Sequence, residues 1–395
     1  MRRSLKIKSS MAKKIAIIAN VPVWIIPGLE KLKHGGHYCT WLEALIPAFE
    51  REKRDFELHW ITFSKETSEY HFKEAFGQFF HIFPRGSLAV GIVSKFFLET
   101  WKVKKLIRKL SPDLVHAWGS EEVCGIAGAR SGVPQKLFTL QGCLTDYVRE
   151  VGGAFLFRVQ ARYEKKTVGA YEHGTAESPM AALLLSDLNP KIMVDIVEYG
   201  VDEKFHEANW DPVQQPTVLF VGSIDERKGV AHLIEVAALP QCAGINFRIA
   251  GEGALKNHLM EKATENVTWL GKVDRSKVIS ELEAAWALVI PTFADTGPTV
   301  VKEARVVGLP VVITNAAGAS SYVDDSGCGF VIEPADLVGL SKSILEICGD
   351  REDCMEMGRK GWQEHREILN PATTARSFRQ IYEKLLSPPD SLSAT

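Results

Sequence analysis

Short, almost continuously apolar runs, each closed by turn residues, recur along this chain and alternate with segments of helical periodicity. One set comprises Lys14–Ala19, Glu57–Phe63, Leu114–His116, Lys136–Leu140 and Gly174–Ser178. A second comprises Thr217–Gly222, Asn246–Ala250, Val267–Leu270, Ala287–Pro291, Val311–Thr314 and Gly329–Ile332. Between most of them the spacing predicts helices, over Tyr38–Glu52, Val93–Leu110, Val230–Ala237, Lys277–Ala284 and Leu337–Cys348. A strand with one wet face alternates apolar and polar residues. Runs without that alternation need cover on both faces, as in parallel sheets flanked by helices. The pattern therefore predicts an α/β chain of two doubly wound domains, and 395 residues suffice for two.

The polar, Pro-containing stretch Gly200–Pro216 separates the sets. The expected organisation is a disordered basic tail over 1–11, a first domain over 12–205 and a second over 206–361. C-terminal helices over 362–386, broken at Asn370-Pro371, are expected to pack back toward the first domain, and 387–395 to be disordered. Ligands of doubly wound sheets gather at the carboxyl ends of the strands, so a shared site is expected in the cleft between the domains.

Charge and cysteine content exclude several classes. The net charge of −2 gives no argument for nucleic acid. Its distribution is uneven: residues 1–205 carry 29 basic and 23 acidic side chains and the remainder 18 and 26, which could orient the molecule at an anionic surface. The seven cysteines are scattered, without CxxC or Cys/His spacing, and are expected as reduced thiols in a cytoplasmic protein. The basic start could open a signal peptide, but Asn20, Pro22 and Pro27 interrupt the apolar run, so a first buried strand is expected there.

The stretch from Asp295 to Pro310 carries the most chemistry. Asp295 lies in a loop and Glu303 inside the helix the loop opens, with Pro298 expected at the first helical position and Gly308 and Pro310 marking the end. Free N–H groups near Thr299 and Val300 would form a phosphate seat, and the two carboxylates suit sugar or ribose hydroxyls. An amphipathic helix with two solvated acids is the competing reading.

With Val221-Gly-Ser-Ile-Asp-Glu-Arg-Lys228-Gly229, Ile249-Ala-Gly251-Glu-Gly253, Leu270-Gly-Lys-Val273 and Asp295-x7-Glu303 in this order, the second half resembles the retaining glycosyltransferases of family 4 (glycosyl transferases group 1). The first half resembles the acceptor domain of the same family, through Gly35-Gly36 opening a helix, Pro112-Asp-Leu-Val-His116-Ala-Trp118-Gly and Tyr199-Gly-Val-Asp202. The resemblance implies the GT-B architecture of two facing Rossmann-like domains, and transfer of a sugar from a nucleotide-diphospho-sugar to a hydroxyl acceptor with retention, a hexosyltransferase-type reaction. It places Lys228 against the donor diphosphate, Glu303 on the ribose hydroxyls and Asp295 on the transferred sugar. Amides of Thr299 and Val300, in the loop that includes Gly297, would hold the diphosphate. Gly251, Glu252, Lys272 and Val273 would lie near the nucleotide, and Gly35 and Gly36 would let the first domain approach the sugar-diphosphate. His37, in the glycine loop, is the histidine most worth replacing, while His34 and His116 read more readily as structural hydrogen-bond partners.

The chain departs from the family at four places. Asp295 replaces the usual Glu, Ser223 stands where an arginine commonly shares the phosphate load, Pro298 removes a backbone donor, and Gln141 occupies the strand end where many relatives have a histidine. Arg227 is the candidate to compensate for Ser223. These departures keep open a non-catalytic nucleotide-sugar or glycan-binding GT-B protein, and the fold also hosts sugar-nucleotide epimerases. On the family's pattern the protein positions and stabilises charge rather than supplying an acid/base pair, and without Asp-x-Asp or a His/Asp/Glu cluster no metal or other cofactor is implied.

The acceptor is expected to be a glycan, lipid-linked or cell-surface polysaccharide. Trp24, Tyr38, Trp41, Trp118, Tyr147, Phe155 and Phe157 are candidate sugar platforms, with core packing as the competing use. The basic, amphipathic segment from Lys95 to Lys109 suits a helix resting on an anionic bilayer, and equally a covering helix with a solvated basic face. The expected location is cytoplasmic, with peripheral contact on the inner face of the cell membrane as an open alternative.

Overall fold

The computed structural model describes residues 12–32, 41–51, 56–152, 155–323 and 327–387. The chain builds two α/β layers in succession. The first contains β1 (Lys13–Ile18), α1 (Trp41–Arg51), β2 (Phe56–Ser64), β3 (His71–Ala75), β4 (Gln78–Pro84), α2 (Leu88–Val93), α3 (Phe97–Leu110) and β5 (Leu114–Trp118). It continues with α4 (Val123–Ala129), β6 (Lys136–Thr139), α5 (Leu144–Val151), α6 (Phe155–Val168), β7 (His173–Ala176), α7 (Pro179–Leu188) and β8 (Met193–Ile196). The short α8 (Glu203–His206) leads into β9 (Thr217–Val221), α9 (Val230–Ala237), β10 (Asn246–Ala250), α10 (Lys256–Met260), β11 (Val267–Gly271) and α11 (Arg275–Ala284). Then follow β12 (Ala287–Ile290), α12 (Thr299–Val307), β13 (Val311–Thr314), β14 (Gly329–Ile332), α13 (Leu337–Ile347), α14 (Arg351–His365) and α15 (Pro371–Leu386).

The first sheet runs β3-β4-β2-β1-β5-β6-β7-β8 and the second β11-β10-β9-β12-β13-β14. Every pairing is parallel except β3 with β4 at the edge of the first sheet. Central strands are apolar on both faces, as Ile15, Ile17 and Ile18 of β1 and Val218, Leu219 and Phe220 of β9 show by their complete burial. The expected pair of Rossmann-like sheets is present.

Three strands escaped the sequence reading. β3 and β4 form a hairpin around Phe76-Gly77, both at positive φ, on an edge where β3 has no fully buried residue. β8 is the opposite edge, with Met193 and Ile196 exposed. The edge strands β3 and β8 lack the double-sided burial that marked the others, whereas β4 is interior and buried but interrupts its apolar run with Gln78 and His81.

The helix expected over Val93–Leu110 begins only at Phe97: Val93 is the last residue of α2, and a turn separates it from α3. Lys95 and Phe96 adopt left-handed backbone (φ 54° and 51°), and the Phe96 ring is buried so closely under Gly91 that a Cβ there would lie 2.6 Å from it. The anchored ring turns the chain where periodicity alone would continue it. Pro298 also sits one position earlier than expected: with φ −63° and ψ 109° it caps α12, and Thr299 is the first helical residue. The expectations for 1–11 and for 388–395 lie outside the described residues.

The chain crosses between the two layers twice, and the crossings touch. Val201 N–H donates to Leu369 O at 2.8 Å, Gly200 N–H donates to Thr374 Oγ1 at 2.8 Å, and a Cβ on Gly200 would collide with Pro371. Beyond the second crossing α15 lies on α1, where Phe378, Ile381, Tyr382 and Leu385 join Ile15, Ile17, Trp60 and Trp118 in one core. His116, fully buried, shares hydrogen bonds with Tyr382 (2.8 Å) and Thr139 (2.6 Å), and burial holds its pKa well below the usual value. It is a structural partner.

Candidate functional site

The carboxyl ends of the two sheets meet. From the second sheet come the loops after β9, β10, β11 and β12; from the first come those after β5, β6 and β7. Thr296 Oγ1 donates to Gln141 O at 2.9 Å, and Lys302 Nζ donates to Glu177 Oε2 at 2.6 Å. Both contacts cross the cleft.

Asp295 is the centre of the second-sheet side. Its position is fixed by pairing with Ala317, whose neighbour Gly318 donates N–H to Asp295 O at 2.8 Å. Its carboxylate receives Lys228 Nζ directly, lies 3.5 Å from Arg227 Nη1 and accepts Gly297 N–H at 3.3 Å. Burial alone would raise its pKa, but Lys228, Arg227 and the Gly297 amide together hold it below the ordinary value, so it is a carboxylate.

Lys228 and Arg227 come from one turn after β9. Asp225 caps it by accepting Lys228 N–H at 3.1 Å, and Ser223 Oγ donates to Asp225 Oδ2 at 2.6 Å. Ser223 thus supports the turn rather than facing the cleft with a charge. Arg227 faces the cleft: its Nη1 donates to Ala294 O at 2.9 Å beside Asp295. Gly229, at φ 68°, allows the turn to press on β12, since a Cβ would overlap Pro291 O.

Pro298, Thr299 and Val300 open α12 toward the cleft, and the N–H groups of the first turn have no intrahelical acceptors. Glu303 follows one turn later and is buried. Burial pushes its pKa up to about 7 against the opposing pull of Arg275 and Lys302, with Arg275 Nη2 at 3.8 Å. Arg275 also reaches Glu43 on α1 at 2.7 Å and Asp202 at 3.2 Å, tying the Glu303 neighbourhood to the first domain. Gly251, at φ 148°, lies so close to Gly222 O that a Cβ would overlap it. Glu252 is turned to Lys256 (2.7 Å), Lys272 is exposed and Val273 half-buried at the rim. Gly35, Gly36 and His37 lie outside the described residues.

A cavity of about 170 Å³ opens between the two sides. Arg227, Asp295 and Thr296 line one wall and Glu121, Asp146 and Tyr147 the other. Glu121 follows β5. Burial in the cleft pushes its pKa up to about 7; Glu164 and Glu122 add to this, while the N–H groups of Glu121 and Gly142 oppose it. The neighbouring Glu164 is fully engaged, accepting from Leu144 N–H at 3.0 Å and Thr145 N–H at 2.7 Å, and so fixes the loop that carries Gln141. Glu121, Asp146, Glu177 and Arg275 were not singled out from sequence. Glu121 and Glu177 could have been, because Glu177 directly follows β7 and Glu121 lies in the loop just after β5, both at carboxyl ends of strands. Of the aromatic candidates, Trp41 stacks on Trp118 (4.4 Å) and Tyr199 (4.1 Å), whereas Tyr147 reaches the cavity and Phe155 and Phe157 are exposed.

Among the described residues no group of three or more His, Cys, Asp or Glu is placed to hold a metal ion, and the six described cysteines are buried thiols. No described helix is long and apolar enough to cross a membrane.

Residues 201–364 match the family model described as Glycosyl transferases group 1. Over 204 residues the chain is 27% identical to a glycogen synthase of Mycobacterium tuberculosis, covering 48% of this chain and 48% of that one. Such matches span about half the length of these curated relatives. Sucrose-phosphate synthase from Thermosynechococcus elongatus superposes with a TM-score of 0.75 at 18% identity, over 94% of this chain and 99% of that one. HepE of Anabaena, solved with UDP-glucose, gives 0.67 at 15% identity, over 94% and 99%. At these identities the structural likeness is one of fold. The chain has the GT-B fold, and the part of it that matches the Glycosyl transferases group 1 family model is the second of its two α/β layers.

Proposed function

We propose that the protein is a glycosyltransferase that moves a sugar from a nucleotide-diphospho-sugar to a hydroxyl of a glycan or lipid-linked acceptor, with retention of configuration and without a metal. The observation that carries this reading is the gathering of Lys228, Arg227 and the α12 N-terminus around Asp295 in the cleft.

A diphosphate arriving there meets two cations and unpaired helix amides, which suit its charge. It displaces Asp295 from Lys228, and the freed carboxylate accepts hydroxyls of the transferred sugar. Glu303 takes the ribose hydroxyls and the Lys272–Val273 rim faces the base. As the sugar–phosphate bond breaks, charge grows on the departing diphosphate, where Lys228 and Arg227 stabilise it. The acceptor hydroxyl attacks from the same face and gives its proton to the leaving phosphate. Glu121 and Asp146 sit where they accept hydrogen bonds from the acceptor's other hydroxyls.

The test is a thermal-shift screen against UDP-, GDP-, ADP- and dTDP-sugars, followed by NMR of the product anomer with the donor that stabilises the protein. A stabilising donor, release of its nucleoside diphosphate unaffected by EDTA, and an unchanged anomeric configuration are expected. Stabilisation by none of the four classes would overturn the donor assignment.

A further inference from the structure

One side of the first sheet is covered by α2, α3, α4 and α6, with α4 packed inside and the others facing out. Their outer surface is apolar and cationic at once. Val90, Val93, Phe97, Leu98 and Trp101 on α2 and α3 are each more than half exposed, and Phe155 at the start of α6 is 76% exposed. Around them stand Lys102, Lys104, Lys105, Arg108 and Lys109 on α3 and Arg158, Arg162 and Lys165 on α6. The acidic residues of these helices are Glu99 on α3 and Glu164 on α6, and Glu164 is turned inward to Leu144 and Thr145.

The corner at Lys95-Phe96 gives this surface a pocket. The buried Phe96 ring fixes the left-handed turn, so Lys95 projects toward α4 and α6. Arg130 Nη1 donates to Lys95 O at 3.3 Å, and Lys95 Nζ stands 4.8 Å from the centre of the Tyr163 ring. A cavity of about 180 Å³ results, with Lys95, Arg130 and Lys166 as its charged lining and no carboxylate among its lining residues. Three cations around a small cavity call for an anion such as a phosphate.

We propose that this face docks on an anionic phospholipid bilayer, with the cavity between Lys95, Arg130 and Lys166 seating a lipid phosphate. A soluble phosphate satisfies the cations but leaves Val93, Phe97, Leu98 and Phe155 in water. A bilayer satisfies both, because its anionic headgroups lie directly above apolar chains. The face is also continuous with the cleft: Phe157, beside Phe155, packs edge-on against Tyr147 at 5.8 Å, and Tyr147 lines the cavity beside Asp295. A second groove of about 490 Å³, walled by Trp101 and Tyr70 and rimmed by Glu69 and by Lys102, Lys105 and Lys109, flanks α3 on its other side. The docking stands whether or not the cleft transfers sugar.

The test is cosedimentation of the full chain with phosphatidylcholine vesicles and with the same vesicles doped with phosphatidylglycerol. Partition onto the doped vesicles is expected to be at least about tenfold stronger and to fall with salt. The triple variant K95E/R130E/K166E is expected to lose about tenfold or more of that partition. V93S/F97S is expected to weaken it without changing charge, and circular dichroism would show each variant folded. No binding to doped vesicles at low salt, or equal binding to both kinds, overturns the proposal. Full binding by the triple variant overturns the pocket assignment. Binding of inorganic phosphate with no vesicle binding shows a soluble anion site instead.

Discussion

Lys302 and Glu177 meet at 2.6 Å across the cleft, with side chains 2% and 8% exposed. Lys302 immediately precedes Glu303 on α12, Glu177 immediately follows β7, and the Lys302 ammonium lies 5.0 Å from the centre of the Tyr199 ring. Burial raises the Glu177 pKa, and Lys302 opposes that rise.

Lys302→Ala leaves Glu177 buried without its cation and should destabilise the protein by about 3–5 kcal/mol. The double variant K302M/E177L, which replaces the pair by apolar groups of similar size, should regain most of the loss. Melting curves of the two variants and the wild type check this; equal destabilisation by both would show that the charge pair itself is not the cause.

Lys228→Ala should lower donor turnover by about 10²–10³-fold, because on the proposed mechanism it removes the cation nearest the leaving group. Glu303→Ala should chiefly weaken donor binding. Steady-state release of nucleoside diphosphate measures both, and unchanged turnover in the two variants would sink the site assignment.

Glu303 and Glu121 both have pKa values pushed up to about 7, against an ordinary 4.5. Between these values the unfolded chain has released protons that the native protein retains, so native stability should fall as pH rises. Each group contributes at most about 1.4 kcal/mol per pH unit. Melting temperatures from pH 5 to about 8 should therefore decline, and Glu303→Gln should flatten part of the decline while Glu121 maintains the rest. An identical profile for Glu303→Gln would show that Glu303 is not buried as a proton-holding acid.

Gly251→Ala places a methyl group into Gly222 O at a backbone angle that side chains rarely adopt, and should cost at least about 1–3 kcal/mol. Gly244 has open space around the same position and no positive φ, so Gly244→Ala should be neutral or stabilising by up to about 1 kcal/mol. Differential scanning calorimetry of the pair separates a required glycine from a tolerated one.

On the proposed mechanism Glu121→Ala should raise the acceptor KM by about ten- to a hundredfold, because the buried acceptor hydroxyl it serves is left without a partner. Slow hydrolysis of the donor by water should be unaffected, since the proposed function puts the donor on the opposite wall. Comparing the two rates in one preparation distinguishes a lost acceptor contact from a damaged donor site.

The two sheets were legible because their central strands are apolar on both faces, a pattern that survives in one dimension. The edges were not: β3 and β8 owe their place to partners rather than to double burial, and β4, although interior, breaks its apolar run with the buried polar Gln78 and His81. The break at Lys95-Phe96 was hidden for a related reason, because the ring that forces it finds its seat under Gly91 only in three dimensions. At the site, Asp295, Lys228 and Glu303 were readable as spaced motifs within one half of the chain. Glu121, Glu177 and Arg275 face them or brace them from more distant sequence positions, and acids after a strand look like ordinary loop residues until the opposing sheet is in place. Ser223 shows what spacing could not give: its hydroxyl serves the cap of the turn, while the neighbouring Arg227 lies 3.5 Å from Asp295.

The return of α15 to the first sheet has a consequence for synthesis. Phe378, Ile381, Tyr382 and Leu385 belong to the same core as Ile15 and Ile17, so the layer that leaves the ribosome first is completed last. Until residues 371–386 emerge, α1 has an uncovered apolar side and His116 lacks its Tyr382 partner. The second layer, whose core is continuous within residues 201–369, can close earlier and serve as a folded platform to which the nascent chain brings back its last helix. A nascent chain arrested before α15 should therefore be protease-sensitive in its first half and resistant in its second.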